Sequence, residues 1–188
     1  MKRELVGKLF LGICILSLSV VVGGLFGEEA AKEEVKNLVE NGDFENFAVE
    51  HPTWGLESEK QKFETEGVHG GKRCFKMILK QGESYASRDY KKEIPVIGGK
   101  SYELTYWIKS KVRSSFIRVK FVTQDGRTLN KPEEGATDPS LCKGTGEWEK
   151  IVYRFLVSEG MKAVVLSPRV VTTPGEALFD DIVLQGVD

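Results

Sequence analysis

Asn37-Leu38-Val39-Glu40-Asn41-Gly42-Asp43-Phe44-Glu45 is the stretch on which the reading of this chain turns. Leu38 and Val39 predict a short apolar strand. Asn41-Gly42-Asp43 predicts a tight turn, because Asn and Gly both tolerate positive φ. A turn so placed aims Phe44 as an apolar anchor and Glu45 as a carboxylate. Downstream, the chain reads as strands. Arg73–Lys80 alternates Phe75, Met77 and Leu79 with Cys74, Lys76 and Ile78, and Tyr85–Ile94 is a more polar strand. Ser101–Lys109 puts Tyr102, Leu104, Tyr106 and Ile108 on one face and Glu103, Thr105, Trp107 and Lys109 on the other. Phe116–Val122 repeats this, with Ile117, Val119 and Phe121 opposite Arg118 and Lys120. Glu147-Trp148 opens a strand with Ile151, Tyr153 and Phe155 inward, and Met161–Ser167 and Ala177–Leu184 follow. About nine short strands between Gly, Pro, Asn and Asp turns, with no amphipathic helix, predict an all-β antiparallel sandwich or barrel.

The 188 residues divide unevenly. Residues 1–27 carry a basic start (Lys2, Arg3, Lys8) and an apolar run from Leu9 to Phe26, the layout of a secretory signal peptide. The alternative is an uncleaved membrane anchor, since the run is about long enough to span a thin bilayer. Residues 28–35 read as a charged linker, and 36–188 as one domain with one core. A secreted or cell-envelope location follows from the leader. Without residues 1–27, whose Lys2, Arg3 and Lys8 face only Glu4, the formal charge goes from −1 to −3. So balanced a surface carries no nucleic-acid footprint. Cys74 and Cys142 remain after the leader. They form either one disulfide, which export permits, or two separate buried thiols.

A family is visible in the order of the motifs. Asn37-Leu38-Val39-x-Asn41-Gly42-Asp43-Phe44-Glu45 is followed by Trp54, then Val68-His69-Gly70-Gly71-Lys72. Tyr102-x-Leu104-x-Tyr106-Trp107-Ile108-Lys109, Glu147-Trp148 and Leu178-Phe179-Asp180-Asp181-Ile182-Val183-Leu184 complete the set. Over about residues 36–186 this resembles carbohydrate-binding modules of families four, nine and twenty-two. The resemblance implies a galactose-binding-like jelly roll, no catalytic residues, a polysaccharide or oligosaccharide partner and, often, a companion enzyme, so that this chain acts either alone or with a separate partner enzyme. It also implies a structural calcium ion joining the first and last strands. Glu45 and Asp180 would supply carboxylates, and the turn of Gly70, Lys72 and Arg73 would supply carbonyl oxygens, the ligands calcium prefers. Asp180 shares parity with Leu178, Ile182 and Leu184, which points it inward. The alternative is that Glu45 and Asp180 cap turns or pair with Lys72 or Arg73.

A sugar site needs an aromatic face with polar groups around it. Trp54 and Trp148 match structural positions of the pattern. Trp107 is the first candidate platform, and its alternative is packing under a loop such as 124–147. Tyr85 is next, near where the related modules carry a stacking aromatic, followed by Tyr90 and Phe116. If the strands bearing Lys109, Arg118, Lys120 and Arg154 are neighbours, their outer face is cationic beside Trp107 and suits an acidic glycan. The competing function is a structural or protein-interaction module of the same fold. A small hydrolase has less support, since G-x-S-x-G, H-E-x-x-H and Cys-His patterns are all absent.

Overall fold

Period-two alternation builds ten strands among the residues described by the computed structural model, which are 36–46, 53–55, 57–130 and 141–187. The leader, the linker, residues 131–140 of the long loop, and His51-Pro52 lie outside them. The described residues fall within one compact unit, Glu34–Asp188. The strands are β1 (Gln61–Glu64), β2 (Cys74–Leu79), β3 (Tyr85–Ser87), β4 (Ile94–Pro95) and β5 (Ser101–Ser110). They continue as β6 (Ser115–Thr123), β7 (Thr128–Leu129), β8 (Trp148–Leu156), β9 (Met161–Val171) and β10 (Gly175–Val187).

All pairings are antiparallel. One sheet runs β1-β2-β10-β5-β8. The other runs β3-β9-β6-β7, with β4 also on β9. The fold is the expected jelly-roll β-sandwich. The inward faces read from sequence form its core: Tyr102, Leu104, Tyr106 and Ile108 from β5, Ile117, Val119 and Phe121 from β6, and Ile151, Tyr153 and Phe155 from β8. At one edge Phe44, Trp54 and Phe75 pack together, and Phe44 lies parallel to Phe75 at 5.7 Å.

Four expectations are corrected. Leu38-Val39 is not a strand. The Asn37 side chain takes over part of the ladder: Oδ1 accepts from Val39 N–H and Leu184 N–H, while Nδ2 donates to the Ile182 carbonyl. Tyr85–Ile94 is broken into β3 and β4: Arg88 and Tyr90 N–H still donate to the β9 carbonyls of Pro168 and Leu166, but Lys91 N–H turns to the Thr53 carbonyl and the ladder resumes only at Ile94. Strand β9 does not stop at Ser167 but continues through Pro168 to Val171. Finally, β10 bulges between Asp180 and Val183, with Asp181 at φ 47°. The extra residue switches parity. Ala177 and Phe179 face the core before the bulge, and Ile182 and Leu184 after it. Leu178 and Asp180 therefore lie on the outer face of their sheet, opposite to the reading from parity.

Candidate functional site

The outer face of the second sheet carries a groove of about 540 Å³ lined by Tyr85, Ser87, Arg88, Asp89, Lys91, Lys120 and Arg169. Strand register explains the lining. Because Ile117, Val119 and Phe121 are core residues, Phe116, Arg118 and Lys120 must face outward. Phe116 stands opposite Arg169, which stands opposite Ser87; Arg118 stands opposite Ser167. Tyr85 lies at the β3 edge, 61% exposed. Phe116 is buried, with the Arg118 guanidinium 5.6 Å from its ring centroid. Asp89 is held by Lys120 Nζ at 2.6 and 2.7 Å and accepts from Ser167 Oγ at 2.7 Å. Burial pushes the Asp89 carboxyl up, but these hydrogen bonds and the lysine charge outweigh it and hold the group below its ordinary range. Arg169 is half-buried, and burial together with the Arg118 charge lowers its pKa.

A second constellation lies on the outer face of the first sheet. Asp180 is fully buried, opposite Trp107 in register. Its Oδ2 accepts from His69 and Gly70 N–H, and its Oδ1 from Asp181 N–H. Burial pushes its pKa up to about 6 against the pull of those donors. Glu45 Oε1 accepts from Lys72 N–H at 2.6 Å and Arg73 N–H at 3.0 Å. The loop 69–73 is thus held at both ends by carboxylates, one from the opening stretch and one from β10. At Gly71, φ is 60° and a Cβ would run into the Glu45 carboxylate, so glycine is required there. His69 Nδ1 lies 2.7 Å from Asp181 Oδ2, and the ligand atoms of His69, Asp180 and Asp181 lie within 4.8 Å of one another. Two of these three ligand atoms are carboxylate oxygens, the kind calcium prefers, and Glu45, the other carboxylate expected at a calcium ion, is not among them. Lys72 and Arg73 turn their N–H groups toward Glu45, the turn-capping alternative weighed from sequence, and the Arg73 guanidinium lies over Phe63, 4.3 Å from the ring centroid.

A family model described as a carbohydrate binding domain matches residues 36–172. The chain belongs to this family. Among curated proteins, none matches by sequence. Three solved structures show the same fold. The CBM22-1 xylan-binding domain of Paenibacillus barcinonensis Xyn10C aligns with a TM-score of 0.55 at 13% identity, over 82% of this chain and 96% of its own. TmCBM61, solved in complex with β-1,4-galactotriose, gives 0.52 at 18%, over 81% and 99%. The enzymatically active domain of bacteriophage CBA120 tailspike protein 4 gives 0.59 at 14%, over 80% of this chain but only 21% of the tailspike chain.

In this carbohydrate-binding domain the residues expected to bind ligand are divided between three places. Tyr85, Phe116, Arg118 and Lys120 share the groove face. Trp107 and Lys109 are on the opposite sheet, because β5 and β6 belong to different sheets. The cationic face expected beside Trp107 therefore does not form. Nor is Trp107 an open platform: the His69 ring covers it at 3.8 Å with a 19° interplanar angle, and Trp148 meets His69 edge-on. The covering loop is 65–73, not 124–147. Tyr90 is a core residue, 2% exposed, packed on Trp54 with its hydroxyl accepting from Glu40 N–H.

Cys74 and Cys142 are free. Cys142 joins the core and its thiol donates to the Val112 carbonyl, whereas Cys74 faces away from the core on β2. The sheet separates them, so the disulfide reading gives way to two buried thiols. Arg88, Lys91 and Arg169 were missed. Arg169 was within reach: continuing the period-two register of Val165 and Ser167 past Pro168 places it in the groove.

Proposed function

We propose that this chain is an exported, non-catalytic carbohydrate-binding protein that holds polysaccharide in the groove of the second sheet. The observation that carries this reading is Tyr85, an exposed aromatic ring at the margin of a groove whose other lining residues are all polar. A sugar ring presents an apolar C–H face and a rim of hydroxyls, and an aromatic beside fixed hydrogen-bonding groups complements both. Membership of a carbohydrate-binding family, and likeness in fold to a xylan-binding domain and a galactotriose-bound module, support the same class of ligand. Export rests on the basic and apolar pattern of residues 1–27.

Calcium belongs to this proposal as a structural ion. Glu45 and Asp180, with carbonyl oxygens from the Gly70–Arg73 turn, would hold it, and its charge would offset the buried carboxylate. The test of the binding reading is affinity electrophoresis through gels containing xylan, β-1,4-galactan, β-glucan or polygalacturonate. Tyr85→Ala is expected to weaken retardation at least about tenfold on any polymer that retards the wild type. Unchanged retardation of the variant moves the site elsewhere.

A second reading, a protein-interaction module, is favoured by one observation. The edge strand β8 exposes Val152 at 48% and Leu156 at 59%. A chain that ignores every polysaccharide but self-associates until Leu156→Lys is introduced would favour it.

A further inference from the structure

The groove face is charged out of proportion to the chain. The whole sequence has 27 Lys and Arg against 28 Asp and Glu. Among the described residues, this face carries Arg88, Lys91, Arg118, Lys120 and Arg169 against a single carboxylate, Asp89. Asp89 is already committed to Lys120 and Ser167. Among the described residues, no carboxylate pairs with Arg88, Lys91, Arg118 or Arg169. Elsewhere on the surface cations commonly have acidic partners: Lys60 with Glu83, Lys62 with Glu64, Lys76 with Glu176, Lys92 with Glu40 and Arg154 with Glu103.

Neutral groups hold the three arginines in place. Arg88 Nε donates to the Trp54 carbonyl at 3.2 Å, and its guanidinium lies against the backbone of Gly55. Arg169 Nε faces Ser167 Oγ at 3.4 Å, and Arg118 rests over Phe116. Each fixed guanidinium thus keeps most of its five N–H donors for another partner. Arg118 and Arg169 stand on neighbouring strands, diagonal to one another in register, and repel. Two adjacent, half-buried guanidinium groups form a ready donor site for an oxyanion, since the planar fork matches a carboxylate or sulfate in two-point geometry.

We propose that the groove selects an anionic glycan, with a carboxylate or sulfate ester of the sugar held between Arg118 and Arg169 while the ring lies on Tyr85. This rests on the carbohydrate-binding reading of the same groove and narrows its ligand. Lys91 and Arg88 extend the positive surface along the groove, toward charges on the next sugars of the polymer. Lys120 plays a different part. Its charge is spent on Asp89, and that pair supplies an acceptor for a ring hydroxyl beside the cationic pocket.

The test is titration calorimetry at about 0.15 M salt, where surface charges farther apart than about 8 Å are screened. The probes are polygalacturonate, its methyl-esterified form, κ-carrageenan, neutral xylan, neutral β-1,4-galactan and duplex DNA. The proteins are wild type, the double variant Arg118→Gln/Arg169→Gln, Tyr85→Ala, and a charge control, Lys143→Gln/Lys150→Gln, which removes two exposed cations away from the groove. All are first matched for melting temperature and near-UV dichroism.

The expected result is that polygalacturonate or κ-carrageenan binds at least about tenfold tighter than the neutral polymers and the methyl ester. That preference should vanish in the arginine variant and persist in the lysine control. Binding of polygalacturonate alone identifies the carboxylate as the recognised group, and binding of κ-carrageenan alone the sulfate ester. Xylan, galactan or the methyl ester bound as tightly as the anionic polymers, with the arginine variant unimpaired, overturns the anion inference but leaves the sugar reading standing. Duplex DNA bound as tightly as the best polysaccharide also overturns it, since the face would then be a general polyanion surface. No binding to any polysaccharide by the folded wild type overturns both.

Discussion

Phe44 couples the opening turn to the core, and its backbone makes an unusual demand. The residue is fully buried, with its ring 5.2 Å from Trp54, 6.0 Å from Phe63 and 5.7 Å from Phe75. Yet its φ is 56°, in the left-handed region that costs a non-glycine residue roughly 1–2 kcal/mol. Its burial must outweigh that strain. Truncation to Ala should lose about 3–5 kcal/mol, the usual cost of deleting a buried phenyl ring, while retaining the strain. Truncation to Gly loses the same ring but relieves the strain, against a backbone entropy cost of about 0.5–1 kcal/mol. Phe44→Gly should therefore be more stable than Phe44→Ala by about 0.5–1 kcal/mol.

Phe75, the ring stacked on it, is the control. It is 1% exposed and sits in β2, where φ is not positive. There, Gly should fall below Ala by about 0.5–1 kcal/mol. Urea denaturation of the four variants, with unchanged m, measures both differences. The reasoning fails if Gly is the worse substitution at both positions.

Three further outcomes follow from other sites. Thr172 is exposed and β-branched with φ 67°, so Thr172→Gly should raise stability by roughly 1 kcal/mol in thermal melts; a loss would show that its hydroxyl contact with Ser114 outweighs the strain. Cys74 is buried with its thiol pushed up to about 12 by burial first and the Asp180 charge second, so iodoacetamide at pH 8 should label it in urea but not in the native protein. Rapid native labelling would refute that placement. If calcium is held at Glu45 and Asp180, chelator should lower the melting temperature of the wild type and leave that of Asp180→Asn unmoved, and a wild type indifferent to chelator would remove the ion from the account.

The fold was legible because it is written locally. Alternation in Ser101–Ser110 and Ser115–Thr123 marks which side chains enter the core, and the core contains them. Features that depend on a partner strand were harder to read. The bulge in β10 inserts one residue between Phe179 and Leu184, and no residue type there announces it. Parity counted through Asp180-Asp181-Ile182 then inverts and sends Asp180 to the wrong face. Asn37 misled for a related reason. A side chain that substitutes for a ladder bond leaves its neighbours looking like a strand in sequence without making one.

The candidate site shows the same limit more sharply. Lys109 and Arg118 are nine positions apart, each outward-facing on a cleanly alternating strand, and a hairpin between their strands would have placed them side by side. Instead, β5 pairs with β8 and β10 while β6 pairs with β9, so the short connection between them crosses from one sheet to the other. Alternation tells a residue's face relative to its own strand, but not which sheet that strand joins. The crossing separates Trp107 and Lys109 from Arg118 and Lys120 by the whole thickness of the core. It also brings Arg169 and Tyr85, from distant parts of the sequence, onto one surface with Arg118 and Lys120. The charge that distinguishes the groove thus arises from topology. On this face β6 contributes Arg118 and Lys120, β9 contributes Arg169 and the segment after β3 contributes Arg88 and Lys91, and the antiparallel order β3-β9-β6 concentrates them.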